Sequence, residues 1–142
     1  TNAICNSFKK ELLEATHNFK TSGSGGNTFK LSMYTNSATL GKSTTSFTTG
    51  NEVSSSGYSS GGSALVNTGT SIATNTAITD FADLSFVGVT LTARGALIYN
   101  DTASGDPAVA VLDFGGDKTA TAGTFTIQFP AFTTSAAILR IA

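Results

Sequence analysis

One histidine and one cysteine limit the chemistry open to this chain of 142 residues. A Cys–His nucleophile pair would need Cys5 and His17, twelve residues apart. On one helix that separation is roughly 18 Å at 1.5 Å per residue, too far to share a proton. His17 falls at the end of a predicted helix, where the negative pole favours an imidazole that has no catalytic task. Asp101 and Asp106 lie in Asn-Asp-Thr-Ala-Ser-Gly-Asp-Pro, residues 100–107, which is turn composition. Calcium would demand more oxygen ligands than these two carboxylates bring. The glycine runs at 23–26 and 57–62 neither join a strand to a helix nor carry a phosphate-gripping lysine, so they read as linkers. Gly115-Gly116-Asp117-Lys118 reads as a further turn. Arg94 and Asp113 are the charges set deepest in apolar sequence; they could pair with each other or across a symmetry axis, or Arg94 could face solvent. Carbohydrate recognition usually stacks sugars on aromatic rings, and the chain has no Trp and only Tyr34, Tyr58 and Tyr99 as tyrosines. The expectation is no catalytic residue, no cofactor, no metal ligand set, and no enzyme.

The elements that must carry these residues centre on three predicted strands: Thr90 to Tyr99, Ala108 to Phe114 and Thr124 to Phe129. In the third, Phe125, Ile127 and Phe129 alternate with Thr124, Thr126 and Gln128, the period of a half-buried strand. The middle one is apolar on both faces, which places it inside a sheet or between layers. Shorter strands are expected at Phe29–Tyr34, Ala64–Val66, Ile72–Ile78, Leu84–Val89 and Ala136–Ile141, with Asp80 to Asp83 as a turn. The last should pair near the N-terminal strand or across a subunit contact, since a terminal strand needs a neighbour.

One helix is expected, over Thr1 to Asn18, with Thr1 or Asn2 as its cap. Ile4, Phe8, Leu12, Ala15 and Phe19 recur at helical spacing to form one apolar stripe. That stripe either closes one end of the β body or docks on a partner subunit. Residues 21–28 form a Gly/Ser linker, which as a free coil spans on the order of 15 Å. Residues 35–63 form a long polar arm, too poor in apolar side chains to build core; it is a mobile loop or is ordered by another chain. The whole is a single domain, 1–142, with helix 1–20 and body 29–142. Its class is all-β: an antiparallel β-sandwich or jelly roll with one N-terminal α-helix.

Composition supports an all-β body and narrows the partners. Charged residues are 12% of the chain, while 24 Thr and 17 Ser supply most of the polarity. Thr favours strands and Ser favours turns. With 8 basic against 9 acidic side chains, nothing recruits a phosphate backbone or an anionic membrane. One cysteine excludes an internal disulfide and a thiolate metal cage. No stretch approaches the roughly 20 apolar residues of a membrane span, and no signal-type start is seen, so a soluble compartment or a particle built there is expected. A weakly charged, hydroxyl-rich surface suits burial against neighbouring copies, although a Thr-rich monomer fits the same numbers.

Several segments carry a resemblance across nearly the whole chain. They are Asn2-Ala3-Ile4-Cys5-Asn6-Ser7-Phe8-Lys9-Lys10-Glu11-Leu12-Leu13, then Asn51-Glu52-Val53 leading to Gly57-Tyr58 and Gly61-Gly62. They continue through Thr92 to Asn100, Ala108 to Gly115, and Ile138-Leu139-Arg140-Ile141. Together they resemble a small virion protein of tailed bacteriophages, especially phages of cyanobacteria and other aquatic bacteria. The resemblance implies a capsid cement or decoration protein, a homotrimer on the virion surface that contacts the major capsid protein. The segments name no active site. Phe8, Leu12, Gly57, Tyr58, Gly61 and Arg94 are the expected partner contacts. A tail, neck or baseplate subunit is the alternative, and a receptor- or glycan-binding module is a third.

Overall fold

A computed structural model describes all residues, Thr1 to Ala142. The chain is mostly β, with two antiparallel sheets and one short helix. The elements run β1 (Ala3–Ile4), α1 (Asn6–Leu13), β2 (Phe29–Tyr34), β3 (Ser63–Ala64), β4 (Asn67–Ala73), β5 (Thr76–Phe81), β6 (Leu84–Asn100), β7 (Ala108–Ile127) and β8 (Leu139–Ile141). The larger sheet has the order β1-β7-β6-β2-β3, and the smaller has the order β4-β5-β8.

The helix is shorter than the stripe predicts at both ends. Ala3 and Ile4 pair with Val111 and Ala110 of β7, so the chain is still strand where Thr1 or Asn2 was expected to cap a helix. Cys5, extended at φ −67° and ψ 139°, takes the N-cap position without a side-chain bond. At the other end Ala15 adopts a left-handed φ of 59°. Its N–H bonds to Leu12 O, and Thr16 N–H to Glu11 O, which closes the last turn in the reciprocal pattern usually built on glycine. Phe19 therefore joins the core from beyond the helix. Its ring stacks on Phe29 at 4.4 Å between centroids and 6° between planes.

The three-strand block is one long hairpin. β6 and β7 pair from Tyr99↔Ala108 to Leu84↔Ile127, and the 101–107 loop joins them. Gly115 to Lys118 is not a turn: β7 runs through it by bulging, so that between the pairs Gly95↔Asp113 and Ala93↔Lys118 residues 114–117 lie opposite Arg94 alone. Gly115 takes the positive φ of 79° that this needs. β7 bends so far that Phe114 and Phe125 bring their rings to 5.9 Å. Ala108 to Val111, flanked by β1 and β6, is buried on both faces, as its unbroken apolar run demands.

Two smaller expectations are corrected. Ile72 to Ile78 is not one strand; it reverses at Thr74-Asn75 with Thr74 at φ 54°, so Asp80 and Phe81 belong to β5 rather than to a turn. The C-terminal strand pairs with β5, through Leu139↔Thr79 and Ile141↔Ala77, and not with the N-terminal strand. Phe81 of β5 meets Phe29 of β2 at 5.8 Å, which brings side chains of the two sheets into one aromatic core.

The segments read as linker and arm are tied to the body. Asn67 holds the 20–27 turn by donating from Nδ2 to Lys20 O and Asn27 O, both at 3.0 Å. Within 35–63, Phe47 stacks on Tyr99 at 4.7 Å, and Val53 and Tyr58 are buried. Glu52 gathers the glycine-rich stretch: its carboxylate accepts from the Tyr58 hydroxyl, the Ser60 hydroxyl and the Gly61 N–H at 2.7–2.8 Å. The arm is thus ordered by its own chain, through a few aromatic anchors and charge-assisted bonds.

Candidate interaction surface

The six expected contact residues fall into three groups. Phe8, Tyr58 and Gly61 are buried within the chain. Tyr58 Oη accepts from Met33 N–H at 2.9 Å as well as donating to Glu52, and Gly61 O accepts from the Tyr99 hydroxyl at 2.6 Å. These three build the surface from beneath. Gly57 is exposed, but a Cβ there would meet Gly88 O at 2.5 Å, so its lack of a side chain lets the arm lie against β6. Arg94 is half exposed and donates from Nε to Asp113 Oδ1 at 3.1 Å, so the two strand charges pair within one chain. Asp113 is fixed further by Gly115 N–H at 2.8 Å. Leu12 lies half-buried on a groove.

That groove runs between α1 and the small sheet and holds about 320 Å³. Phe8, Phe19, Ile78 and Leu139 are its buried apolar residues, joined by Ile4, Leu12 and Ile141. Ile141 is 62% exposed and Ile4 39%. Leu13, next to Leu12, is 91% exposed, and Ile72, on the strand paired with Ala77, is 72% exposed. Isolated exposed apolar residues are ordinary; several gathered on an apolar groove mark a contact surface. Lys9 and Arg140 are the charged residues of the lining.

A wider groove of about 590 Å³ follows the bend of β7. Half-buried Phe114, Phe125 and Phe129 line it, with exposed Lys118, Thr124 and Gln128 beside them. Aromatic faces set among amide and hydroxyl groups can take a polar ligand with apolar faces.

Beneath the first groove lies a buried polar chain that sequence patterning does not announce. Asn100 Oδ1 accepts from Thr102 N–H and Ala103 N–H at 3.0 and 3.2 Å, which fixes its amide. Its Nδ2 then donates to Asn27 Oδ1 and His17 Nδ1, each at 3.0 Å. His17 must accept at Nδ1, so its proton sits on Nε2, directed at Glu11 Oε2 3.6 Å away. Packed among Phe8, Phe19 and Phe29, the imidazole is fully enclosed rather than perched at a helix end. Burial lowers its pKa, and the nearby Glu11 carboxylate opposes that only in part.

A depressed imidazole pKa ties stability to pH. The unfolded chain takes the proton first, so stability is full above about pH 6.5 and falls as pH drops below it, by up to about 1.4 kcal/mol per pH unit. Urea unfolding at stepped pH should show this slope for the wild type and a flatter profile for His17→Gln. Asp80, whose buried carboxyl is pushed upward, titrates in both proteins and cancels in the difference. Coincident profiles would remove His17 from this role.

The chain was compared with protein-family models, with curated proteins and with solved structures. None matches it. No three His, Cys, Asp or Glu side chains gather where they could hold a metal ion, and no helix is long and apolar enough to cross a membrane. Cys5 is buried and its thiol is pushed up to about 11, chiefly by desolvation. It behaves as a small apolar side chain. The arrangement offers surfaces: one apolar groove with a cationic rim, and one long mixed groove on β7.

Proposed function

We propose that this chain is a structural subunit of a bacteriophage virion, a cement or decoration protein that sits at junctions of the major capsid protein. The observation that carries the reading is the apolar groove, with Ile4, Leu13, Ile72 and Ile141 exposed on or near it. A subunit working by contact alone needs such a surface, and the resemblance of residues 2–13, 92–100, 108–115 and 138–141 to phage virion proteins says where it would be used. Under this reading the two sheets form a sandwich of jelly-roll kind, and three copies associate. The trimer makes several weak contacts at once; because later contacts are intramolecular, avidity exceeds single-site affinity by orders of magnitude. Binding the assembled shell and not its free subunits stabilises the shell by mass action.

Quantitative mass spectrometry of purified particles tests the station. A copy number comparable to that of the major capsid protein is expected. A count matching tail or neck proteins would support the alternative, a tail, neck or baseplate subunit. The β7 groove favours one further reading, a receptor- or glycan-binding module, because its phenylalanines lie beside Gln128 and Thr124. Specific hits on a glycan array, lost in Phe125→Ala, would establish that reading.

A further inference from the structure

The groove between α1 and β8 is apolar within and positive at its rim. Lys9 forms no ion pair, and Arg140 spends Nη1 on the carbonyls of Thr134 and Ser135, at 3.3 and 2.9 Å, with no carboxylate in reach. No acidic residue lines the groove. In a chain with 9 acidic and 8 basic side chains this is a local excess of positive charge, set beside the exposed side chains of Ile4 and Ile141. The wall supplies a third feature. β8 is the outer strand of its sheet, so its far edge carries unpaired backbone groups, and Leu139, Arg140 and Ile141 all line the groove.

We propose that this groove receives an extended segment of a neighbouring subunit, one that carries apolar side chains next to a carboxylate. The apolar side chains would fill the space over Phe8, Leu12 and Phe19, the carboxylate would lie between Lys9 and Arg140, and the backbone could pair along β8. The positive rim selects an acidic partner over a neutral or basic one and speeds its approach. The free strand edge favours a peptide over an acyl chain, which has no use for backbone donors and acceptors. The proposal rests on the docking reading and adds the chemistry of what docks.

The test uses the full chain and an array of short fluorescein-labelled peptides in which Val or Ile alternates with Thr beside paired Asp. A twin array carries Lys in place of Asp, and dodecanoate is the competing acyl ligand. Fluorescence anisotropy should show saturable binding of Asp peptides, with the Lys twins weaker by about tenfold and the difference shrinking as salt rises. Lys9 is exposed and bonded to nothing, so Lys9→Glu keeps the fold and, by offsetting the charge of Arg140, should erase the preference. Equal binding of both arrays, or none, overturns the proposal. So does dodecanoate binding without peptide binding, which makes the site an acyl pocket. Self-association of the wild type that Lys9→Glu abolishes, with no peptide bound, gives the groove to a second copy instead. If peptides fail while the chain is abundant on shells, only the occupant is wrong; absence from shells refutes the docking reading itself.

Discussion

Replacing Gly62 with alanine should destabilise the chain by about 4 kcal/mol or more, at the extreme of single substitutions. Gly62 sits at φ 73°, and a Cβ there would lie 1.8 Å from Leu31 O and 2.6 Å from Leu31 C. Both atoms are backbone of β2, so no rotamer change relieves the clash. Either the arm lifts from the sheet or β2 shifts, and each exposes Leu31 and Tyr58, which are buried. Gly105 provides the control: its φ is 83°, yet nothing lies within 4 Å of an added Cβ. Gly105→Ala should cost only about 1 kcal/mol, the strain of a left-handed residue alone. Urea denaturation of the pair separates backbone strain from close approach. Similar losses in both would show that the 57–62 stretch does not lie on β2 as described.

The second large effect is expected at Asn100, which is fully buried. Its amide satisfies Thr102 N–H, Ala103 N–H, Asn27 Oδ1 and His17 Nδ1 at once. Asn100→Ala leaves Thr102 N–H, Ala103 N–H and His17 Nδ1 without a partner, and the loss should be about 3 kcal/mol because buried unsatisfied groups forfeit their solvation. The damage should be directional. Asn27 also accepts from Asn18 N–H at 2.9 Å and shares its carbonyl with Asn67, so the 18–27 turn and β4 loosen together. Amide hydrogen exchange should show protection lost at Asn18, Asn27 and Asn67 while Leu97 and Ile98, deep in the β6 ladder, stay protected. Uniform loss across all of these would mean the polar chain is not a local tie.

The β body was legible because its strands alternate or run apolar without interruption, and both patterns follow from the pleat. The helix end was hidden for a physical reason. Ala15 occupies a left-handed position where glycine is the usual marker, so the apolar period ran on to Phe19 without a stop signal. Thr74 hid the β4–β5 turn in the same way. Gly115 and Gly116 misled in the opposite sense, since glycines that permit a bulge carry the same signature as glycines that make a turn. The arm at 35–63 is too poor in apolar residues to build core by count, yet Phe47, Val53 and Tyr58 suffice as anchors when Glu52 and Tyr99 hold the backbone of Gly61. Of the surface, Leu12 and Arg94 were visible as an apolar helical position and an isolated strand charge. The cationic rim was not, because Lys9 and Arg140 stand 131 residues apart and only the fold joins them. His17 was seen at the wrong address: a polar ring enclosed by three phenylalanines leaves no periodic trace.

Electron cryomicroscopy of particles carrying this chain bears most directly on the claim that it acts by contact alone. Density for a three-fold cluster is expected on the outer shell, where major capsid protein subunits meet, with α1 and β8 turned toward the neighbouring subunit. Density confined to the tail would assign the chain to another station. Shells bare of it, together with a solution monomer that converts a small molecule, would contradict the account.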